Sequence, residues 1–352
     1  MSHQVSIEPL GQVIEVADGQ TILDASLRAG IYLPHACCHG LCATCKVQIL
    51  DGDVEHGEAS GFALMDFERE EGKCLACCAI PQSDMTIEAD VDVEPDAQNL
   101  PVQDFEGQVM RTEDLTPTIK GVWIRLQGEV PLRFQAGQYI NLMVPKLGHR
   151  AFSMANAPST GRDIELNVRL VPGGAATTWI HSGLKAGDTV RLSGPYGRFF
   201  VRKSAGVPLI FLAGGSGLSS PHSMILDLLE EDCELPMTLV YGARNRAELY
   251  GHEEFERLAA GHGNFHYVPA LSDEPPGSAW SGARGFVHEA AKVHFNNDFR
   301  GHKAYLCGPP VMIDACITAL MQGRLFERDI YTEKFFSAAD AQQVRSPLFK
   351  RI

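Results

Sequence analysis

Seven of the ten cysteines lie before residue 79, and their spacing is the first feature that could do chemistry. Cys37, Cys42 and Cys45 form a C-x4-C-x2-C run interleaved with the small residues Ala36, Gly40 and Ala43. Four thiolates are needed to hold a [2Fe–2S] cluster, and one tight loop at this spacing can supply three of them. The small residues let backbone N–H groups approach the sulfurs. The fourth thiolate must come from Cys74, Cys77 or Cys78. A structural zinc site on Cys42-x2-Cys45 and Cys74-x2-Cys77 competes with this reading. Its 28 intervening residues exceed the usual gap, however, and it leaves Cys37 and the small-residue loop without a role. Cys37-x-His39 is half of a mixed Cys/His cluster motif whose other half is missing, so His39 reads as a loop residue. The cysteines that are not ligands, Cys38 among them, are expected to be small packing residues beside the cluster.

Further along, glycine-rich turns offer anion-binding chemistry. Gly173-Gly174 stands ahead of Thr177-Thr178 and an apolar stretch, a natural pyrophosphate cradle if a helix begins there. Arg150-Ala-Phe152-Ser153 carries a cation, an aromatic face and a hydroxyl in four residues. Gly214-Gly215-Ser216-Gly217 sits between an apolar run and a helical pattern, where phosphates can approach backbone N–H groups. It is not a strict G-x-G-x-x-G, because position 220 is serine. Cys307-Gly308-Pro309-Pro310 ends another apolar run.

The elements that must position these residues fall into three blocks. In the first, Val5–Glu8 and Val13–Val16 alternate as a strand pair, and Thr21 to Asp24 fits a capping box opening a helix with Leu23 and Leu27 on one face. Lys46–Leu50 reads as a strand. Asp90 to Asn99 is acidic, contains Pro95 and reads as a linker. Short strands at regular spacing, Gly107–Arg111, Gly121–Leu126, Gln138–Val144, Asp163–Leu170 and Asp188–Ser193, predict a small antiparallel barrel. From Val207 the pattern becomes strand–helix alternation, with strands at Val207–Leu212, Met237–Tyr241, His266–Ala270, Lys303–Leu306 and Ile330–Phe336, which predicts a parallel sheet. The expected fold class is therefore multidomain, α+β followed by α/β. The segments are 1–94, an acidic linker 95–104, a barrel 105–203, a parallel α/β domain 204–337 and a tail 338–352.

Charge divides the chain in the same way. Residues 1–100 carry 18 Asp and Glu against 4 Lys and Arg, which accounts for the whole net charge of −14. Such a balance argues against nucleic-acid or anionic-membrane partners. The acidic surplus is either a solvated face or a docking surface for an electron-transfer partner. No stretch approaches the ~20 apolar residues of a membrane span, and the N-terminus lacks a secretion signal, so the expected location is cytoplasmic.

The Cys77-Cys78-Ala79-Ile80-Pro81 segment resembles the corresponding part of plant-type ferredoxins, and that resemblance makes Cys77 the fourth ligand, with Cys37, Cys42 and Cys45, in a β-grasp-like domain. Arg150, Phe152 and Ser153 with Gly174-x-x-Thr177 resemble the flavin-barrel motifs of the ferredoxin–NADP reductase superfamily, as do Gly137-Gln138-Tyr139 and Gly194-Pro195-Tyr196-Gly197. The resemblance implies that Arg150, Gly173, Gly174 and Thr177 bind the FAD pyrophosphate, that Phe152 stacks on the flavin and that Ser153 points to its N5. It also implies that Gly214, Gly215, Gly217, Cys307, Gly308 and Pro309 seat NADH, with Cys307 beside the nicotinamide and Glu333 and Phe335 closing the flavin face. Arg244, a single cation where the adenosine ribose is read, favours NADH over NADPH. In this domain order the whole chain is similar to the NADH-dependent reductases of multicomponent oxygenases, phenol hydroxylase reductases above all. Gly57-Glu58-Ala59-Ser60, Leu212 to Pro221, Met321 to Asp329 and the Leu348 to Ile352 ending carry that closer likeness. The implied activity is electron transfer from NADH through FAD and a [2Fe–2S] cluster to a separate di-iron hydroxylase, with Ser153, Cys307 and Glu333 at the hydride-transfer site.

Overall fold

A computed structural model describes residues 2–36, 38–91 and 94–335. Cys37, part of the expected linker, Phe336 and the 338–352 tail lie outside the described residues. The chain divides into two compact units, Met1–Gln103 and Asp104–Ile352.

The first unit holds strands β1 (His3–Glu8) and β2 (Gln12–Val16), helix α1 (Ile22–Arg28), then β3 (Lys46–Asp51), β4 (Val54–Glu55), α2 (Asp66–Glu70), β5 (Lys73–Leu75), β6 (Ile80–Pro81) and β7 (Met85–Glu88). Its main sheet runs β2-β1-β7-β3-β5, with β1 and β7 parallel and the other described pairs antiparallel. Alternation in β1 and β2 buries Val5, Ile7, Ile14 and Val16 against Ile22, Leu23 and Ala25 of α1. The helix cap differs from the expected box. Thr21 Oγ accepts from the Asp24 N–H at 3.3 Å, but the Asp24 carboxylate does not return the bond. It accepts instead from Gln20 Nε2 at 2.6 Å and Arg28 Nε at 3.0 Å. The first helical N–H groups are claimed elsewhere: Ile22 N–H donates to the Ala79 carbonyl and Leu23 N–H to that of Ala76. The orphan donors of the helix start thereby fix the turn that carries Cys77.

The second unit begins with a barrel of β8 (Gln103–Asp114), β9 (Ile119–Leu126), β10 (Tyr139–Val144), β11 (Gly148–Ser153), β12 (Asp163–Arg169), α3 (Ala175–Ser182) and β13 (Thr189–Tyr196). The strand order is β11-β10-β13-β8-β9-β12, and a Met154–Leu166 bridge brings the two edges back together. Ile140, Leu142, Ile164, Leu166 and Val168 fill it. Arg150, Phe152 and Ser153 lie within β11, which a tight turn at Lys146 (φ 64°) and Gly148 (φ 73°) folds back onto β10. Most of β11 is exposed, so it lacks the apolar alternation that marks a strand in sequence.

Parallel strands then follow: β14 (Leu209–Gly214), α4 (Ser219–Glu230), β15 (Met237–Ala243), α5 (His252–Gly261), β16 (Phe265–Leu271), β17 (Ala283–Arg284), α6 (Val287–His294), β18 (Lys303–Gly308), α7 (Pro310–Gln322) and β19 (Ile330–Lys334). Their order is β17-β16-β15-β14-β18-β19. All six residues of β14 are buried, as a central strand with helices on both faces demands. The order reverses between β14 and β18, so the turns after Gly214 and Gly308 open side by side at a switch point. Among the described residues no helix is long and apolar enough to cross a membrane.

One carboxyl on α4 carries a pH signature. Burial, and then the Glu231 charge, raise Asp227 to about 6 from an ordinary 3.8. A folded value above the unfolded one means that the cost of ionising Asp227 is absent below about pH 4 and full above about pH 6. Asp227→Asn is therefore expected to stabilise the protein by about 1 kcal/mol at pH 7, allowing for the exposure of the group. Denaturant unfolding at pH 4 and pH 7 checks this, and an equal gain at both would contradict it.

Candidate redox site

In the first unit the loop before β3 places Cys38 (φ 55°), Gly40 (φ 69°) and Ala43 (φ 62°) in left-handed conformations. Changes of handedness of this kind turn successive N–H groups toward one concavity, suited to an anionic group. A side chain at Gly40 would put Cβ 2.8 Å from Cys78 Sγ and 3.0 Å from the Glu58 carbonyl, so only glycine fits. Cys42 is exposed, Cys45 is buried just before β3 and Cys77 is half-buried after β5. The Cys77 thiol contacts Cys45 and pushes its pKa far up; burial adds to this, as do the charges of Cys77 and Cys42.

Thiols that oppose each other's ionisation are what a cationic iron core relieves, and this donor set fits the cluster. Among the described residues no three His, Cys, Asp or Glu side chains converge on a single-ion site. A two-iron cluster shares four thiolates between its metals, and Cys37 is outside the described set. Cys74 is fully buried in the sheet core, its thiol pushed up to about 12 by burial and then by Cys45. Cys78 Sγ stays 3.6 Å from Cys77 Sγ. Cys38, with its left-handed backbone, is exposed, contrary to its expected packing role.

In the second unit, Gly174 caps α3, so the Gly173-Gly174 pair does precede a helix. The Thr177 hydroxyl is spent within that turn, accepting from the Val171 N–H and donating to the Gly174 carbonyl, both at 3.1 Å. Anion binding there rests on backbone N–H groups. Arg150 is exposed on the β11 edge, and Phe152 packs on the barrel core.

The structure brings Ser153, Cys307 and Glu333 together. Register pairs Cys307 of β18 with Glu333 of β19. Glu333 Oε2 accepts from Ser153 Oγ of the barrel at 3.0 Å and from Cys307 Sγ at 3.4 Å. Burial raises the Glu333 carboxyl, and bonds from Ser220, Ser153 and Cys307 pull it partly back. Burial, and then the Glu333 charge, hold the Cys307 thiol well above its usual range. Phe335 follows, its N–H donating to the Gly308 carbonyl at 3.0 Å.

A cleft of about 170 Å³ opens over the sheet, lined by Gly214, Gly215, Arg244, Glu248, Pro309 and Met312 among others. Close approach explains its glycines. A Cβ on Gly214 would meet Met312 Sδ at 2.4 Å, and one on Gly217 would meet the Cys307 carbonyl oxygen at 2.3 Å. Sequence reasoning missed two residues. Ser220 Oγ donates to the same Glu333 oxygen at 2.5 Å. Glu248 accepts from Thr118 Oγ at 2.6 Å, Thr116 Oγ at 3.1 Å and Arg244 Nη2 at 2.9 Å. Burial opposes its charge, but these bonds prevail and hold its pKa low.

A cysteine-lined loop domain followed by a barrel and a parallel sheet meeting at a carboxylate defines an iron–sulfur flavoprotein reductase. Three family models match along the chain: a 2Fe-2S iron-sulfur cluster binding domain at 5–82, an oxidoreductase FAD-binding domain at 106–201 and an oxidoreductase NAD-binding domain at 211–317. The chain is 63% identical, over all of both chains, to the phenol 2-monooxygenase reductase component of Pseudomonas sp. (strain CF600). It is 59% identical, again over all of both chains, to the phenol hydroxylase P5 protein of Acinetobacter pittii. Among solved structures, the Amycolatopsis cytochrome P450 reductase matches with a TM-score of 0.84 and 36% identity, over 95% of this chain and 98% of that one. The chain belongs to the family of phenol hydroxylase reductase components.

Proposed function

We propose that the chain draws electrons from NADH and delivers them to a non-haem di-iron oxygenase that converts phenol to catechol. The observation that best supports this reading is the convergence of the barrel Ser153 and the sheet Cys307 on one oxygen of Glu333, where a flavin-side and a nicotinamide-side residue meet. When bound, FAD accepts a hydride from NADH and releases electrons singly, and the [2Fe–2S] cluster carries them one at a time.

The protein's own residues bind and orient these groups. Arg150 supplies a cation, and Gly173, Gly174 and the start of α3 supply N–H donors, for the FAD pyrophosphate; Phe152 and Phe335 offer flat faces to its ring. Gly214, Gly215, Gly217, Gly308 and Pro309 let the NADH backbone lie close to the sheet, with Arg244 at the ribose. Ser153, Cys307 and Glu333 line the place of hydride transfer and exclude water from it. Cys37, Cys42, Cys45 and Cys77 hold the cluster. The reading assigns 1–94 to the cluster, 105–203 to FAD and 204–337 to NADH, joined by the 95–104 linker. The acidic surplus of residues 1–100 would steer a basic face of the oxygenase, so electron delivery should slow with added salt.

Reconstitution tests the function directly. NADH oxidation by this chain should be coupled to catechol formation when the oxygenase of a phenol monooxygenase is added. Product from a Rieske dioxygenase but none from the phenol oxygenase would overturn the assignment.

Coenzyme choice has its own test. Glu248, held ionised in the cleft, sets a negative charge against the 2′-phosphate of NADPH. Glu248→Gln is expected to raise kcat/KM for NADPH relative to NADH by about tenfold. An unchanged ratio would show that Glu248 does not read the coenzyme.

A further inference from the structure

Glu333 stands on β19, at the edge of the parallel sheet, and its carboxylate needs anchoring if it is to face Ser153 across the seam. Three donors meet the single oxygen Oε2, and they are unequal. Cys307 is a thiol, a weak donor, at 3.4 Å. Ser153 belongs to the barrel and sits at 3.0 Å. Ser220 lies in the first turn of α4, is fully buried and makes the shortest bond, at 2.5 Å. Its backbone is fixed by packing of α4 against the sheet, among neighbours such as Met224, Ile225 and Leu228. Within the sheet domain, Ser220 is therefore the only strong donor to Glu333 among the described residues. The Ser153 hydroxyl is also the group the flavin reading assigns to N5, and a hydroxyl carries one proton to donate.

We propose that Ser220 is a positioning residue of the hydride-transfer site: it holds the Glu333 carboxylate in place from the sheet side, so that Glu333 keeps its orientation when Ser153 turns to the flavin. The residue recorded in the sequence as a break in the glycine motif is, on this account, the anchor of the catalytic carboxylate. The proposal rests on the hydride-transfer reading of Glu333.

The neighbourhood keeps the test clean. The donors to Glu333 on β11 and α4 are hydroxyls, and the one on β18 is the Cys307 thiol, the one titratable group among the described residues that acts on it. Lys334, next on β19, is turned away to Asp314 of α7 at 2.6 Å.

The experiment uses the full-length, flavin- and cluster-loaded protein with Ser220→Ala, Glu333→Ala and the double variant. NADH–ferricyanide turnover by S220A should fall about tenfold in kcat with KM for NADH unchanged, the effect of losing one bond to a charged group. In the E333A background, S220A should cost nothing further. A second readout does not depend on turnover: carbon-13 NMR of protein labelled at the glutamate carboxyl, with the Glu333 signal identified by its loss in E333A. Its titration midpoint should move up by about one pH unit in S220A, since a donor to the charged form is gone. If S220A leaves kcat and the midpoint unchanged, or costs the same factor with and without Glu333, the proposal is overturned. If E333A itself turns over normally, the hydride-site reading fails as well, a separate and visible result. Should S220A lose its fold by circular dichroism, Ser220→Cys preserves the shape with a weaker donor; it should show a smaller fall in kcat, and wild-type kcat there would overturn the proposal too.

Discussion

Replacing Cys42 by serine is expected to abolish NADH-driven reduction of cytochrome c, by at least about a hundredfold, while ferricyanide reduction stays within about twofold of the unsubstituted protein. Cys42 is exposed on its loop, so the change costs no core packing. What it removes is one of the four thiolates proposed to hold the [2Fe–2S] cluster, and a serine hydroxyl is a poor substitute for a soft thiolate. The proposed hydride site belongs to a different unit with its own cores: Ser153, Cys307 and Glu333 all lie beyond residue 104, and the apolar clusters of that unit share no residue with that of the first. A two-electron acceptor site and a one-electron exit are thus physically separable. Cys74→Ser makes the useful control. That side chain is fully buried in the sheet, so a hydroxyl there lacks solvent and should lower stability by about 1–3 kcal/mol. Iron and acid-labile sulfide analysis, with both acceptor assays, decides the matter. Loss of ferricyanide reduction together with that of cytochrome c in Cys42→Ser would count against this division of labour.

What the sequence made legible follows from distance along the chain. The proposed cluster ligands Cys42 and Cys45 share one short loop, so their spacing alone points to that chemistry. The barrel and the parallel sheet were legible because apolar alternation in β9, β10 and β12 and the continuous apolar run of β14 are direct records of burial. Ser153, Cys307 and Glu333 were singled out through the motifs around them, and they meet in the fold. Ser220 and Glu248 were not, because their bonds join residues 113 and 130 positions apart, and nothing local marks a serine or a glutamate as a long-range partner. Three local details also escaped the pattern. The second half of the Thr21 capping box is absent because Gln20 and Arg28 claim the Asp24 carboxylate. The Thr177 hydroxyl serves its own turn. Strand β11 carries too little buried surface to announce itself, although it presents Arg150, Phe152 and Ser153.

Gly217→Ala should give the complementary failure: loss of NADH oxidation with every acceptor, ferricyanide included, by at least about a hundredfold, in a protein that keeps its cluster. The reason is space rather than backbone freedom. A Cβ at position 217 would lie 2.3 Å from the Cys307 carbonyl oxygen and 2.6 Å from both the Cys307 carbonyl carbon and Gly308 Cα. All three are backbone atoms, held by strand β18 and unable to swing aside as a side chain could. The turn after β14 or the turn after β18 must therefore move, at a cost of about 1–3 kcal/mol or more. Either movement pulls apart the two loops of the switch point and draws Cys307 Sγ away from Glu333 Oε2, now 3.4 Å distant. Displacements of about 1 Å can cost a factor of 100 where reacting groups must be aligned. The neighbouring Gly215 separates this effect from ordinary glycine strain. It has a φ of 55° and open space around its Cβ position, so Gly215→Ala should cost only about 1–2 kcal/mol of stability. Position 217 belongs to the second unit, so iron and sulfide content should be normal in Gly217→Ala, and dithionite should still bleach the cluster. A normal rate of ferricyanide reduction from NADH would mean that the Cys307–Gly308 turn has no part in hydride transfer, and the site would have to be sought elsewhere along the strand ends.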